Sequence, residues 1–231
     1  MSASSSHTRP DRTSPNSEAV EDYAKAIYAL ARRDEGPVGT SAIAERLGVT
    51  PGTVTPMLKR MAELGLVEHV PYRGVTLAPA GEDVALEVIR HHRLLEAYLA
   101  EALGMPWDKV HAEAEVLEHY ISEDLEERIA AALGDPSRDP HGDPIPDRML
   151  ALASDAGVAL AEVAEGAGGT FSRVSDSDPE MLRFLDERGI RPGAEITVRE
   201  RTPFGGPLLI DVTGSEHAIG RELAERMIIS N

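Results

Sequence analysis

Apolar residues in the first third of the chain recur with two different periods. Val20, Tyr23, Ala24, Ile27, Leu30 and Ala31 are spaced three and four apart, which puts them on one face of a helix that starts near Ser17 and stops at Gly36-Pro37. Thr40 is placed to cap a second, short helix with Ile43, Ala44 and Leu47 on its inner face and Gly48 as a left-handed terminus. Thr50-Pro51 joins an N-cap residue to a proline suited to the first helical position, so a third helix opens there, buries Val54, Met57, Leu58, Met61 and Leu64, and closes at Gly65. The period then drops to two. Residues 66–70 and 75–77 flank the turn Pro71-Tyr72-Arg73-Gly74, the pattern of a two-stranded wing. Two short helices across a tight turn, followed by a hairpin, predict a winged helix-turn-helix. The plainer alternative is a helical hairpin followed by an unrelated ribbon.

Helical periodicity returns over 81–103 and again over 110–133, with Pro106 and Trp107 between them. The run Asp135-Pro-Ser-Arg-Asp-Pro-His-Gly-Asp-Pro-Ile-Pro is a loop that no regular element crosses. After an Ala/Gly stretch ending near Gly169, short β segments at 193–198 and 208–212 accompany a helix around 179–188, which predicts a small β-barrel domain. The fold class expected is α+β, divided into an arm (1–16), a winged helix-turn-helix (17–80), a helical domain (81–153) and a barrel (154–231). The arm is rich in Ser, Thr, Pro and Arg with almost nothing to bury, and reads as disordered, with Arg9 and Arg12 available to DNA.

The chain has 231 residues and no cysteine, which excludes a disulfide framework, thiolate chemistry, a zinc ribbon and iron–sulfur ligation. Any metal site must use His, Asp, Glu or Met. No apolar run of membrane-spanning length and no secretory leader is visible, so a cytoplasmic protein with no membrane partner is expected. A formal charge of −17 argues against nonspecific coating of nucleic acid but leaves room for a local reading head. Residues 38–80 are near neutral, whereas 96–148 are strongly acidic.

Within that acidic stretch, Glu115 follows His111 by four residues and is followed by Glu118 after three and His119 after four, the spacing of one helix face. His92 and Glu96 repeat the i, i+4 relation on the preceding helix, and Asp22 lies on the first. A solvated acidic face with incidental histidines is the bland account. Against it, histidine stands where an exposed salt-bridge face would carry lysine, and no Lys or Arg relieves the charge between His111 and Glu127. Like charges clustered in this way are costly without a cation.

Trp107-Asp-Lys-Val-His-Ala-Glu-Ala followed by Glu118-His119, with His92-Arg-Leu-Leu-Glu96 and Tyr72-Arg-Gly-Val-Thr-Leu upstream, resembles the diphtheria toxin repressor family of metalloregulators from Ser17 onward. The resemblance implies a winged helix-turn-helix, a helical metal-binding and dimerisation domain, and a carboxy-terminal SH3-like barrel of the FeoA type. It further implies a homodimer that, when metal-loaded, binds palindromic double-stranded operator DNA and represses metal-uptake genes. By position, the family's primary metal site falls on Asp22, Glu115, Glu118 and His119, with His92 close by. An ancillary ion would draw on Glu96, His111, Asp139, His141 and Asp176. The bland readings there are solvated loop residues for Asp139 and His141 and a helix cap for Asp176.

The iron-responsive branch carries Met and Cys where this chain has Asp22 and Glu115, so the resemblance is to the manganese branch, with Mn2+ as corepressor and an iron(II)-responsive repressor as the alternative. Hard oxygen ligands suit manganese, at the weak end of the divalent series. Lys25 departs from the pattern by standing where binuclear manganese regulators carry an acid. On the third helix, Thr50, Gly52, Thr53, Thr55 and Pro56 occupy the operator-facing positions, and Lys59, Arg60 and Arg73 are expected at the DNA backbone. Pro56 stands where the iron branch has a glutamine, which shifts readout toward hydroxyls, thymine methyl contacts and DNA shape. A remote alternative from another class is a metal-dependent hydrolase. It finds no nucleophile, no HExxH and no phosphate loop in the sequence.

Overall fold

The computed structural model describes residues 15–154 and 156–230, with side chains from Glu18 onward. Most of the expected arm, Arg9 and Arg12 included, lies outside these residues, and Pro15 and Asn16 already belong to α1 (Pro15–Asp34). The chain divides into two compact units, one of residues 1–91 with Arg148–Leu150, the other His92–Asp147 with 151–231.

In the first unit, α1, α2 (Thr40–Leu47) and α3 (Pro51–Glu63) close over one core. Val20, Ala24 and Ile27 of α1 meet Ile43 and Ala44 of α2 and Val54, Leu58 and Met61 of α3, so the three- and four-residue spacing becomes one continuous apolar interior. Gly39, not Thr40, is the N-cap of α2, and Gly48 ends it in the left-handed conformation. Thr50 is the N-cap of α3 and Pro51 opens it. The wing pairs β1 (Val67–Val70) with β2 (Gly74–Leu77) in antiparallel register, Val67 opposite Leu77. Val38 adds a bridge to Val75, and Gly74 is required there, because a Cβ would stand 2.0 Å from the Val38 carbonyl oxygen. The long helix α4 (Pro79–Glu101) then runs out of this unit.

In the second unit the helix expected over 110–133 is interrupted. α5 (Val110–Leu117) stops at Glu118, its C-cap, and α6 (Glu123–Ala132) restarts from Ser122, whose hydroxyl accepts from the Leu125 N–H. A serine that can cap a new helix competes with continuing the old one. His119 is therefore in the turn after α5 and not on its face, a correction to the single-helix reading. Leu94, Leu95, Ala114, Ile121, Ile129 and Ala130 pack these helices together.

The carboxy-terminal region holds β3 (Val158–Ala159), a 3-10 turn (Leu160–Glu162), β4 (Gly168–Val174), α7 (Pro179–Asp186), β5 (Glu195–Arg201), β6 (Leu208–Val212), β7 (Ser215–Ile219), α8 (Arg221–Arg226) and β8 (Met227–Ser230). All six strands form one antiparallel sheet in the order β3-β8-β4-β5-β6-β7. The fold class remains α+β, but the expected SH3-like barrel is not there: the sheet is open. Closure needs the two edge strands to pair. Among the described residues β3 pairs only with β8 and β7 only with β6, and β3 turns into the 3-10 segment after two residues, too short to carry a closing ladder. Periodicity identified β5, β6 and α7 but gave no signal for the glycine-led β4 or for β3, β7, α8 and β8.

Trp107, which precedes α5, is buried in the core of this sheet region beside Phe171, Leu182 and Leu185. The loop at 139–143 is held against β4 by the Val174 N–H donating to the His141 carbonyl at 2.9 Å. Gly142, with φ of +90°, makes that approach possible, since a Cβ would fall 1.9 Å from the Ser172 carbonyl oxygen. Gly142→Ala is expected to cost about 2 kcal/mol or more, from a strained φ and a backbone clash together, and to lower the urea midpoint of unfolding. A midpoint equal to wild type would show that the loop does not depend on this approach.

Candidate metal centre and nucleic-acid interface

One side of α3 is buried through Val54, Leu58 and Met61, so Thr50, Gly52, Thr53, Thr55, Pro56, Lys59 and Arg60 are left exposed on the other. Thr50 and Thr53 share a hydroxyl–hydroxyl hydrogen bond of 3.0 Å, and the Thr55 hydroxyl donates to the Pro51 carbonyl at 3.3 Å. α3 continues through Pro56, whose missing N–H removes one helix bond without ending the helix. Arg73 is exposed on the wing. The face thus offers hydroxyls, a proline ring and cations, a chemistry suited to phosphates and to thymine methyl groups.

The second unit buries a cluster of histidines and carboxylates. Helical geometry sets His92 and Glu96 one turn apart on α4, with the His92 Nε2 3.1 Å from Glu96 Oε1. His111, on the first turn of α5, brings its Nδ1 to 3.1 Å from His92 Nε2, 3.3 Å from Glu96 Oε1 and 3.0 Å from Asp176 Oδ2. On its other side His92 Nδ1 lies 2.5 Å from Glu118 Oε2 and 3.8 Å from Glu115 Oε1. His119 Nε2 is 3.7 Å from Glu118 Oε1. Asp139 and His141 come from the proline-rich loop, where Asp139 Oδ1 accepts from the N–H groups of His141 at 2.8 Å and Asp143 at 3.0 Å and so fixes the turn.

His141 is fully buried, and its Nε2 donates to the Trp107 carbonyl at 2.8 Å while its ring stacks on the Trp107 indole. Its Nδ1 therefore faces Glu96 Oε2, 3.7 Å away and too far for a hydrogen bond; neither atom has a hydrogen-bond partner. Two buried, unpaired polar atoms aimed at each other, one an oxygen acceptor and one a ring nitrogen, fit a cation between them. The donors here are imidazole nitrogens and carboxylate oxygens, with no sulfur, a set that suits first-row divalent ions.

Charge in the metal-free cluster follows from these contacts. Asp176, then Glu96, raise the His111 pKa to about 10 against the opposing effect of burial. Burial works against a charged His141, but Glu96 and Asp139 outweigh it and push its pKa up to about 9. Burial disfavours the Glu96 carboxylate, yet His111, His141 and His92 hold its pKa well below the usual carboxylate range. Asp139 is held well above that range by burial and by the neighbouring Glu96 and Asp143.

Glu96, His92, His111 and Asp176 thus converge, as do His92, Glu115 and Glu118, and Glu96, Asp139 and His141. Asp22 lies on α1 in the first unit. Asp176 does not cap α7. Asp178 does, accepting from the N–H groups of Glu180 and Met181. Three residues that shape the cluster had no signal in the pattern: Trp107, which fixes His141, Arg93, 3.7 Å from both Asp139 and Asp143, and Asp143 itself. Arg93 and Asp143 were hidden because a charged residue beside a histidine or in a loop normally reads as solvated.

Three family models match the chain. The model for the N-terminal DNA-binding domain of iron-dependent repressors matches residues 16–75, that for their metal-binding and dimerisation domain 78–147, and the FeoA domain 158–231. The iron-dependent repressor IdeR of Mycobacterium bovis is 33% identical over 212 residues, covering 87% of this chain and 91% of that protein. The diphtheria toxin repressor of Corynebacterium efficiens is 33% identical over 192 residues, 78% of this chain and 83% of that one. Among solved structures, a manganese-dependent transcriptional repressor in complex with manganese is 38% identical with a TM-score of 0.84, covering 92% of this chain and all of that one. These matches show the class: a metal-dependent, DNA-binding transcriptional repressor that acts as a homodimer, and not an enzyme. The chain belongs to the diphtheria toxin repressor family, which takes in the iron-dependent repressors. No helix among the described residues is long and apolar enough to cross a membrane.

A metal takes neutral imidazole, so a bound ion must displace the protons that His111 and His141 carry below about 10 and about 9. At pH 7 metal binding is expected to release protons, measured by calorimetry in buffers of different ionisation enthalpy, and its affinity should rise with pH. Both pKa values exceed the unfolded value near 6.5, so their contribution to the stability of the metal-free protein is complete below that value and lost as pH rises through 9 to 10. Heating the metal-free protein should therefore show a melting temperature falling between pH 7 and pH 10. Proton release that is absent at pH 7 would contradict the coupling.

Proposed function

We propose that the chain represses metal-uptake genes in the cytoplasm by binding a palindromic operator when a divalent ion occupies Glu115, Glu118 and His119 with His92 beside them. The resemblance adds Asp22 of α1 to this set. The observation that carries the reading is the coexistence of an outward, hydroxyl-bearing α3 with the convergence of His92, Glu115 and Glu118 beside His119. A bound ion supplies positive charge to the carboxylates. Glu115, Glu118 and His119 would hold it, and the His92 Nδ1–H, which donates to Glu118, would orient that ligand. A ligand on the reading head gives the ion different affinities for different placements of that head, which is what coupling requires. A twofold dimer imposes its symmetry on the half-sites.

For the metal, the family models and the curated relatives speak for iron(II). A second reading, manganese(II), is supported by the oxygen side chains at Asp22 and Glu115 and by the 38% identity to the manganese-dependent repressor.

Glu115→Ala and His119→Ala are expected to abolish metal-activated operator binding while leaving a folded dimer, read by fluorescence anisotropy and by sedimentation. Undiminished activation in both variants would remove these residues from the switch. Arg60→Ala should weaken binding to every sequence and reduce the salt slope by about 1, as a lost phosphate contact does. An unchanged slope would take Arg60 off the backbone. The double change Asp22→Met with Glu115→Cys softens the donor set and should lose manganese activation while keeping activation by iron(II). Equal manganese response in wild type and double variant would show that these two positions do not select the metal.

A further inference from the structure

The family resemblance gives the ancillary cluster one ion. Resting on the reading above that the cluster takes divalent metal, we infer that it holds two, bridged by the Glu96 carboxylate. The two oxygens of Glu96 face different donors. Oε1 stands with His92 Nε2, His111 Nδ1 and Asp176 Oδ2, whose neighbouring separations run from 3.0 to 3.3 Å. Donors about 2.1 Å from one ion at adjacent corners of an octahedron lie about 3 Å apart, so this group is spaced to supply part of such a shell. Oε2 faces the other way, toward His141 Nδ1 at 3.7 Å, with Asp139 in the same group.

Glu96 is the one residue these two groups share. The tautomers also separate them. His92 commits Nδ1 to Glu118 and turns Nε2 toward the first group. His141 commits Nε2–H to the Trp107 carbonyl, which leaves Nδ1 to be a ligand in the second. Glu96 and His141 are both fully buried, and Glu96 Oε2 and His141 Nδ1, 3.7 Å apart, lack a hydrogen-bond partner. An ion seated in the first group alone leaves that pair unsatisfied, whereas a second ion satisfies both. Trp107 acts as the positioning residue for it, through its carbonyl and its stacked ring.

Manganese(II) is the probe, because two manganese ions bridged by a carboxylate are exchange-coupled and lose the six-line spectrum of an isolated ion. The full-length protein is saturated with manganese(II), its bound ions are counted, and its low-temperature electron paramagnetic resonance spectrum is recorded. Wild type is expected to show the coupled signal. His141→Ala should bind one ion fewer per subunit and revert to isolated ions, and Glu115→Ala should keep the coupled signal because the pair does not use Glu115. Isolated ions only in wild type, coupling that survives in His141→Ala, or coupling lost in Glu115→Ala would each overturn the bridged pair while leaving the repressor reading in place. No manganese binding at all would overturn both. The wild-type spectrum and the Glu115→Ala arm decide the matter without His141→Ala if that variant does not fold.

Discussion

Glu96 sits on α4 with no exposure to solvent, and a carboxylate taken out of water costs several kcal/mol unless positive charge and hydrogen bonds replace what water supplied. His92, one turn away, and His111, at the start of α5, do so for Oε1, while His141, in the loop after α6, brings its charge to 3.7 Å from Oε2 without a hydrogen bond. Much of the second unit is arranged around that half-satisfied group. The break after α5 lets Glu118 turn toward His92, and Asp139 spends one oxygen on its own loop so that His141 is held in place.

The carboxy-terminal sheet is part of this arrangement. It supplies Asp176 to His111, and its core takes in Trp107, whose carbonyl orients His141. Arg183 of α7 pairs with Asp108 beside Trp107 at 3.1 Å, and Arg191 stacks over the indole. A region described by its match as a FeoA domain therefore serves here as one wall of the histidine cluster. Its sheet need not close for that purpose, since β4 and the turn that follows it are the parts that meet the loop.

What the sequence made legible follows the strength of its periodic signal. Val20 to Ile27, Val54 to Met61 and the wing turn at Pro71-Gly74 carried clear three-, four- and two-residue spacing, and the first unit formed from them. The i, i+4 pair His92 and Glu96 was equally plain. The run from 110 to 133 misled because its apolar spacing continues through a turn that only the capping of Ser122 reveals. The barrel expectation failed because alternation identifies strands and not their pairing across the edges, and β4 begins with two glycines that carry no pattern. Arg93, Asp143 and Trp107 act through residues far away in sequence, so local spacing held no trace of them.

In the function proposed above, the metal cluster and helix α3 are two ends of one equilibrium. Such coupling is reciprocal, and is commonly about 5- to 150-fold. The most direct measurement is a pair of titrations on the same protein at fixed pH and salt: metal binding with and without operator duplex, and operator binding with and without metal. The account predicts that operator tightens metal binding by the same factor by which metal tightens operator binding, and that this factor exceeds about 5. Metal affinity that is identical in the presence and absence of operator would contradict it, because the ion would then be a structural component and not the switch.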